Sequence, residues 1–274
     1  MFNLNFSVLI SIYEKENPTY LEQALNSIEN QTLMVNEIVL VKDGPLTPEL
    51  DNIINKYKQN SSMPYKILTL EKNIGLGGAL DKGLRVCKYD WVARMDSDDI
   101  ALPERFEKQF SYLVDTPDID ILGSWICEFD DDPGLCSRER RVPLLHDEIV
   151  SFAKHRNPLN HMSVVFRKDA VLDAGGYQPM NGFEDYYLWM RMIKKGKHFA
   201  NLPEVLVKAR TGQNMIARRQ GFKYAQDELD LEKAAYQIGF WSTLDMTRNI
   251  FTRVIPRLLP VFIVEKLYNL LRKF

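Results

Sequence analysis

The chain has 274 residues, of which 45% are apolar and 26% charged, a composition typical of a globular protein with a sizeable core. Its 35 basic and 37 acidic residues give a net charge of -2, which argues against a dedicated nucleic-acid binder. The cysteines, Cys87, Cys127 and Cys136, are odd in number and lack paired spacing. That pattern disfavours a disulfide framework or a zinc site and indicates a reducing compartment.

Neither a secretory signal nor a membrane-spanning segment is expected. The first residues carry no basic region and no small-residue cleavage pattern. No uninterrupted apolar run reaches the roughly 18 residues of a transmembrane helix. We therefore expect the protein on the cytoplasmic side.

The first half of the chain alternates apolar runs with amphipathic segments. The pattern predicts strands at 6–13, 37–42, 65–70 and 91–95. Between them it predicts a helix after Asn17, a helix with its apolar stripe at 50–57, and a helix that opens at the 73–78 turn. Such alternation implies right-handed crossovers and a mostly parallel sheet, whose ligands bind at the carboxyl ends of the strands. The informative residues are therefore Tyr13, Asp43, Asn73 and Asp96.

The second half is more mixed. We predict strands at 120–129, 162–166 and 203–210, and helices at 147–155 and 184–194. The pattern is helical from residue 218 onward, and basic residues accumulate after about 210. These observations predict an α/β domain over residues 1–212 and a helical extension over 213–274.

The segment 96–99 is the main acidic cluster, because it places Asp96, Asp98 and Asp99 directly after the fourth strand. Three carboxylates in four residues repel one another unless a cation or solvent screens them. Carboxylate oxygens suit Mg²⁺ or Mn²⁺, which also bind substrate phosphates. The alternative is a solvated turn before Pro103, and the position at a strand end favours the site.

Three further features allow both a functional and a structural interpretation. Asp43 before Gly44 is either a binding carboxylate or part of a plain turn. The 73–78 turn lacks the spacing of a dinucleotide fingerprint, but a helix that begins there favours a nearby anion. Glu184 and Asp185 at a helix start are either site residues or partners of the helix dipole.

Taken together, these segments resemble the inverting, nucleotide-sugar-dependent glycosyltransferases of family 2. The resemblance runs from about residue 6 to 210 and is strongest at 93–105, Ala-Arg-Met-Asp-Ser-Asp-Asp-Ile-Ala-Leu-Pro-Glu-Arg. It includes 8–13, 20–31, 41–44, 73–83, 175–177 and 184–185. It implies the GT-A fold, a mostly parallel central sheet flanked by helices, here with a C-terminal helical extension.

The resemblance also implies roles for individual residues. Asp185 matches the catalytic base, and Asp96 and Asp98 match the DxD pair that holds Mn²⁺ or Mg²⁺. The expected nucleotide-sugar contacts are Ser11, Tyr13, Glu14, Asp43, Asn73, Gly75 and Asp96. Two departures are present. Lys42 replaces the first acidic residue of the usual Asp-Asp-Gly, and no processive Gln-x-x-Arg-Trp follows Asp185, which indicates transfer of one sugar.

The later segments 160–168, 209–210, 215–219 and 239–240 are similar to those of bacterial enzymes that build O-antigen or exopolysaccharide repeat units. This similarity implies a UDP-hexose donor and an undecaprenyl-diphosphate-linked N-acetylhexosamine acceptor. Candidate acceptor or diphosphate contacts are Glu184, His161, Arg210, Arg218 and Arg219. A solvated basic helix and a core histidine are the structural alternatives for the arginines and for His161.

The C-terminal residues form a basic amphipathic pattern. From Val261 onward, one helical face carries Glu265, Lys266 and Arg272, and the other is apolar. Such a helix is typical of an anionic membrane surface, although docking on the domain or in a dimer is the alternative. We expect a peripheral protein on the cytoplasmic face of the bacterial inner membrane, with the oligomeric state left open.

Two other functions fit part of the pattern. A sugar nucleotidyltransferase also uses metal carboxylates, but it needs a glycine-rich, basic loop after the first strand, which residues 13–18 lack. The second is a non-catalytic carbohydrate-binding or scaffold protein, which would not need Asp96, Asp98 and Asp185. All three aspartates are present, which argues against this alternative.

Overall fold

The computed structural model describes residues 4–211 and 220–258. In its first half, strands alternate with helices as predicted. The elements are β1 (Phe6–Ile12), α1 (Pro18–Glu29), β2 (Glu37–Lys42), α2 (Pro48–Asn60), β3 (Tyr65–Thr69), α3 (Leu76–Val86) and β4 (Trp91–Met95). The predictions of these strands and helices are confirmed to within a residue or two at the boundaries.

The second half adds short strands and the C-terminal helices. Its strands are β5 (Ile100–Ala101), β6 (Ile121–Phe129), β7 (Arg138–Arg140), β8 (Val165–Arg167) and β9 (Phe199–Arg210). Its helices are α4 (Arg105–Asp115), α5 (His146–Phe152), α6 (Lys168–Asp173), α7 (Glu184–Lys194), α8 (Phe222–Gln237), α9 (Thr243–Asn249) and α10 (Ile255–Arg257). A π-helical turn, Ile250–Val254, joins α9 to α10.

All nine strands of the described residues belong to one sheet, in the order β3-β2-β1-β4-β8-β6-β9-β5, with β7 paired to β6. The pairs among β1, β2, β3 and β4 and the pair β6–β9 are parallel. The strands β8, β5 and β7 run antiparallel to their neighbours. The carboxyl ends of β1 to β4 therefore meet at one edge of the sheet, as the alternation predicts.

Local sequence signals explain the first crossover. The Asn17 side chain accepts a 2.9 Å hydrogen bond from the backbone N–H of Thr19, and Pro18 occupies the first helical turn of α1. The apolar stripe of α1 is buried against the sheet at Leu21, Ala24, Leu25 and Ile28. Because helices cover both faces, every residue of β1 except Ser11 is fully buried.

Two strand boundaries differ from the prediction. Residues 161–163 form a 3-10 turn instead of the start of a strand, because the Ser163 hydroxyl bonds the carbonyl of Asn160 at 2.8 Å. Strand β9 begins at Phe199, four residues before the predicted start. Its pairing with β6 shifts register between Leu202 and Val205, which accommodates Pro203 and its missing N–H.

The prediction that disfavours a disulfide is wrong for one pair. The β6–β7 hairpin brings Cys127 and Cys136 to a Cα–Cα distance of 5.6 Å, and their sulfurs are bonded. Sequence spacing does not reveal this pairing, because Cys136 lies in the irregular connection that the hairpin folds back. Cys87 is a free, buried thiol.

The described part of the C-terminal extension packs on α7. Tyr186 and Met190 of α7 share an apolar cluster with Leu231 and Ala235 of α8. Within residues 4–211 and 220–258, no helix is both long and apolar enough to cross a membrane. The predictions for Arg218, Arg219 and the 261–274 helix lie outside the described residues, and the domain division at residue 212 stays a prediction.

Candidate active site

A cavity of about 720 Å³ opens at the carboxyl ends of the strands. Most of the residues predicted for the nucleotide sugar line it: Ser11, Tyr13, Asp43, Asn73, Gly75, Asp96 and Asp98, together with Arg210. These residues come from β1, β2, β4, β9 and the loops that follow the strands. The topology therefore brings together groups that are up to 199 positions apart in the chain.

Four predicted residues within the described ranges do not line this cavity: Glu14, His161, Glu184 and Asp185. Glu16 lines the cavity instead of Glu14. The loop after β1 forms a turn in which the Glu16 N–H donates a 3.2 Å hydrogen bond to the Tyr13 carbonyl, and this turn directs Glu16 toward the cavity. Burial, and then the charge of Asp98, raises the pKa of Glu16 to about 7. Sequence reasoning missed Glu16, since only the turn decides which acidic residue of the loop faces inward.

The loops after β2 and β3 are joined through Asp43. Its Oδ1 accepts a 2.8 Å hydrogen bond from the backbone N–H of Ile74. Gly44 makes the close approach possible: it has φ +91°, and a Cβ there would lie 2.7 Å from the Asn73 nitrogen. Asp43 and Asn73 are thereby held side by side on the cavity wall.

The acidic cluster is a suitable set of metal ligands. Carboxylate oxygens of Asp96, Asp98 and Asp99 all lie within 4.8 Å of one another. Burial, and then the charge of Asp96, raises the pKa of Asp98 to about 6. Asp99 accepts a 2.8 Å hydrogen bond from the Arg210 N–H through Oδ1, and its Oδ2 is buried without a hydrogen-bond partner among the described residues. Hard oxygen donors of this kind fit Mg²⁺ or Mn²⁺.

Arg94 lies directly beneath this cluster, and sequence reasoning missed its role. Its side chain points from β4 into the protein, is 1% exposed and forms an ion pair with Asp96. Burial lowers the pKa of Arg94, but the charge and hydrogen bond of Asp96 outweigh that effect, so the net pKa is raised. A charged residue inside an otherwise apolar strand is the signal that could have found it.

Asp185 lies in the first turn of α7 and is half-buried. Its Oδ2 accepts a 2.6 Å hydrogen bond from the Asn157 amide, and its Oδ1 accepts one of 2.7 Å from the Tyr186 N–H. Burial raises the pKa of Asp185, and these two hydrogen bonds partly offset that shift. The nearby charges of Arg140, which lines the cavity, and Arg94 act in the same direction as the hydrogen bonds.

The neighbouring acceptor candidates are engaged within the protein. The His161 Nε2 lies 2.8 Å from the Tyr177 hydroxyl, and burial lowers the pKa of His161 well below its usual value. The contact with Tyr177 fits the alternative of a histidine that is satisfied within the protein. The Glu184 side chain packs against α3 at Gly77. The contact is so close that a Cβ on Gly77 would lie 2.7 Å from the Cγ of Glu184.

Arg210 is held in a fixed position at the cavity. Its guanidinium lies over the Tyr20 ring at 3.6 Å from the centroid, and its Nη2 donates a 2.8 Å hydrogen bond to the side chain of Gln23. A planar guanidinium packed in this way is preorganised for an anionic ligand.

A family model and the sequences of known proteins both match this chain to glycosyltransferases. Residues 7–172 match the model of the family described as "Glycosyl transferase family 2". The chain is 45% identical to the amylovoran biosynthesis glycosyltransferase AmsE of Erwinia amylovora, covering 98% of this chain and 99% of that protein. It is 37% identical to the UDP-Gal:alpha-D-GlcNAc-diphosphoundecaprenol beta-1,3-galactosyltransferase of Escherichia coli, covering 98% and 97%.

Solved structures share the fold at low sequence identity. The mannosyltransferase PcManGT of Pyrobaculum calidifontis, in complex with GDP-Man and Mn²⁺, matches with a TM-score of 0.66 and 14% identity, covering 98% of this chain and 81% of that one. S. aureus TarS 1-349 in complex with UDP-GlcNAc matches with a TM-score of 0.65 and 19% identity, covering 93% and 72%.

The α/β fold is shared with these solved structures and is of the GT-A class, as predicted. In this chain it carries an acidic cluster at the carboxyl edge of the sheet. The chain belongs to glycosyltransferase family 2. Its activity is therefore glycosyl transfer, and the nucleotidyltransferase and non-catalytic alternatives are not supported.

Proposed function

We propose that this glycosyltransferase moves a hexose, Glc or Gal, from a UDP-sugar to an N-acetylhexosamine that is linked by diphosphate to undecaprenol. The product would be a repeat-unit intermediate of a bacterial surface polysaccharide. The main support is the cavity itself, where Asp96, Asp98 and Asp43 line one space. The 37% identity to the E. coli galactosyltransferase over nearly the whole length of both chains supports this donor and acceptor.

Asp43 and Asn73 would hold the uracil and ribose end of the donor, since both lie on the wall at the ends of β2 and β3. A divalent cation held by Asp96 and Asp98 would neutralise charge on the diphosphate. Arg210 would contact a phosphate, because its guanidinium is already fixed over Tyr20.

Asp185 would act as the general base. As the acceptor oxygen forms its bond to the anomeric carbon, the bond from that carbon to the diphosphate oxygen breaks, UDP leaves, and the hydroxyl proton moves to Asp185. The in-line geometry inverts the anomeric configuration, so an α-linked donor gives a β-linked product. Asn157 would orient the carboxylate through its 2.6 Å hydrogen bond.

We also propose a peripheral position at the cytoplasmic face of the inner membrane. The support is the basic amphipathic sequence of 261–274 and the lipid-linked acceptor in the name of the E. coli relative. Deleting the residues after Arg257 should weaken the binding of the protein to anionic vesicles. Undiminished sedimentation with vesicles would contradict a membrane role for that segment.

The decisive experiment supplies UDP-Glc, UDP-Gal and UDP-GlcNAc with Mn²⁺ to the purified protein and a synthetic GlcNAc-diphosphate-lipid, with NMR of the product. We expect a β-linked disaccharide from one UDP-hexose. Asp185→Asn should lower kcat by about a thousandfold or more and leave UDP affinity nearly unchanged. Asp147→Asn, at the exposed start of α5, is the matched control and should retain full activity. An α-linked product, or normal turnover in Asp185→Asn, would refute the proposed mechanism.

A further inference from the structure

Exposed large apolar side chains are concentrated in the C-terminal helices. Of the thirteen such side chains in the described parts of the chain, six lie within residues 220–258. Five of them form what we call the apolar stripe: Phe222, Leu244, Phe251, Ile255 and Leu258. Leu244 and Phe251 are 79% and 64% exposed, although exposed leucine and phenylalanine are costly in water.

The spacing of the stripe is regular. Leu244, Phe251, Ile255 and Leu258 follow one another at intervals of seven, four and three residues, which repeatedly return to a similar side of a helix. The first three belong to the continuous helical segment formed by α9, the π-helical turn and α10, and Leu258 is the residue that caps its end. The stripe is therefore an extended surface feature and not a set of isolated side chains.

Buried ion pairs on the inner side of the segment fix its orientation. Arg253 and Arg257 bind the two carboxylate oxygens of Glu228 at 2.6 and 2.9 Å, and Glu228 is fully buried on α8. Asn249 and Val254 are also buried. The ion pairs thus fix the side of the segment that faces α8, so the stripe faces the solvent.

The stripe leads to the wall of the cavity. The N–H of Gly221 donates a 2.9 Å hydrogen bond to the carbonyl of Arg257, which brings Phe222 beside the end of α10. The Arg257 guanidinium lies over the ring of Tyr224 at 5.0 Å, and Tyr224 lines the cavity. The stripe and the cavity wall are therefore neighbours, linked through Arg257 and Tyr224.

Basic groups border this surface. Lys223 is exposed beside Phe222, and the Arg248 side chain, between Leu244 and Phe251, is 38% exposed and pairs with Asp245 at 3.3 Å. The sequence that continues from Leu258 is rich in apolar residues and holds Lys266, Arg272 and Lys273 against one acid, Glu265. Apolar side chains bordered by basic groups match an anionic bilayer, where the rings enter the acyl boundary and the cations meet the headgroups.

We propose that the apolar stripe inserts into the surface of an anionic lipid bilayer and thereby turns the Tyr224 wall of the cavity toward the membrane. The inference rests on the proposed lipid-linked acceptor, whose diphosphate lies at the level of the headgroups. Docking through the stripe would present that diphosphate to the cavity without extracting the lipid.

The test compares the full chain with Leu244→Gln/Phe251→Gln, and uses Met34→Gln/Val114→Gln as a control with exposed apolar residues elsewhere. Sedimentation with phosphatidylcholine/phosphatidylglycerol vesicles measures binding. We expect the stripe variant to bind at least about tenfold more weakly and the control to bind normally. With a water-soluble short-chain acceptor, kcat/KM should be unchanged in both, whereas transfer to a vesicle-embedded acceptor should fall only in the stripe variant.

Three results would overturn the inference. Vesicle binding could be unchanged in the stripe variant. The variant could instead lose a dimer that light scattering detects in the unmodified chain, which would identify a second copy as the partner. Its melting temperature could fall without lipid, which would show that the stripe is covered by another segment of the chain. A chain that binds vesicles through the stripe but transfers no sugar to the soluble acceptor would refute the proposed function alone.

Discussion

The buried guanidinium of Arg94 is ion-paired with the Asp96 carboxylate beneath the acidic cluster. A second buried cation, Arg105, donates a 2.8 Å hydrogen bond to the carbonyl of Arg94. Burial, and then the charge of Arg94, lowers the pKa of Arg105 to about 9. Two buried arginines thus compensate part of the charge of three neighbouring carboxylates, which would otherwise repel one another.

Arg94→Met should destabilise the protein by about 3–5 kcal/mol, because it leaves Asp96 without its buried partner. Urea unfolding measures the loss. Arg141→Met removes an exposed ion pair with Glu139 and should cost less than about 1 kcal/mol. Equal stabilities of the two variants would show that the Arg94 pair contributes no more than a surface contact.

Asp98→Asn should weaken UDP binding in the presence of Mn²⁺ by about tenfold or more, because the proposed metal site loses a charged ligand. Without Mn²⁺ the two proteins should differ little, and calorimetry under both conditions measures the difference. Asp131→Asn, in the exposed turn after β6, is the control. Equal affinities of Asp98→Asn and the unmodified chain in Mn²⁺ would remove Asp98 from the site.

Asn157→Ala should shift the acidic limb of the pH–rate profile to higher pH. A general base must be deprotonated, so kcat/KM falls as the pH drops through the pKa of Asp185, which burial already raises. The Asn157 hydrogen bond favours the charged carboxylate, so its loss raises that pKa further. The profile from pH 4 to 8 measures the shift, and an unmoved limb would separate Asn157 from the base.

Glu232→Gln should flatten the pH dependence of stability. Burial raises the pKa of Glu232 in the folded protein to about 8. Between about pH 5 and 8 the unfolded chain has released this proton and the native state retains it, so the native state loses stability as the pH rises. Glutamine removes that slope. Denaturant unfolding at several pH values measures the slope, with the exposed Glu71→Gln as control. Identical slopes for Glu232→Gln and the unmodified chain would show that Glu232 does not have a raised pKa in the folded protein.

The sequence alone determined the secondary structure of the first half and which residues at the strand ends line the cavity. Buried strands and amphipathic helices have distinct periodicities, and parallel strands place their carboxyl ends together. Tyr13, Asp43, Asn73 and Asp96 could therefore be assigned to one edge before any coordinates.

Tertiary structure alone decided which side chains contact one another across the chain. Asn157 donates a hydrogen bond to Asp185, 28 residues further along the chain. The turn after β1 places Glu16 and not Glu14 at the cavity, and the β6–β7 hairpin brings Cys127 and Cys136 together. Neither periodicity nor motif spacing encodes such contacts, because they depend on how separate elements pack. The apolar stripe follows the same rule, since exposure is a property of the folded surface and not of the residue type.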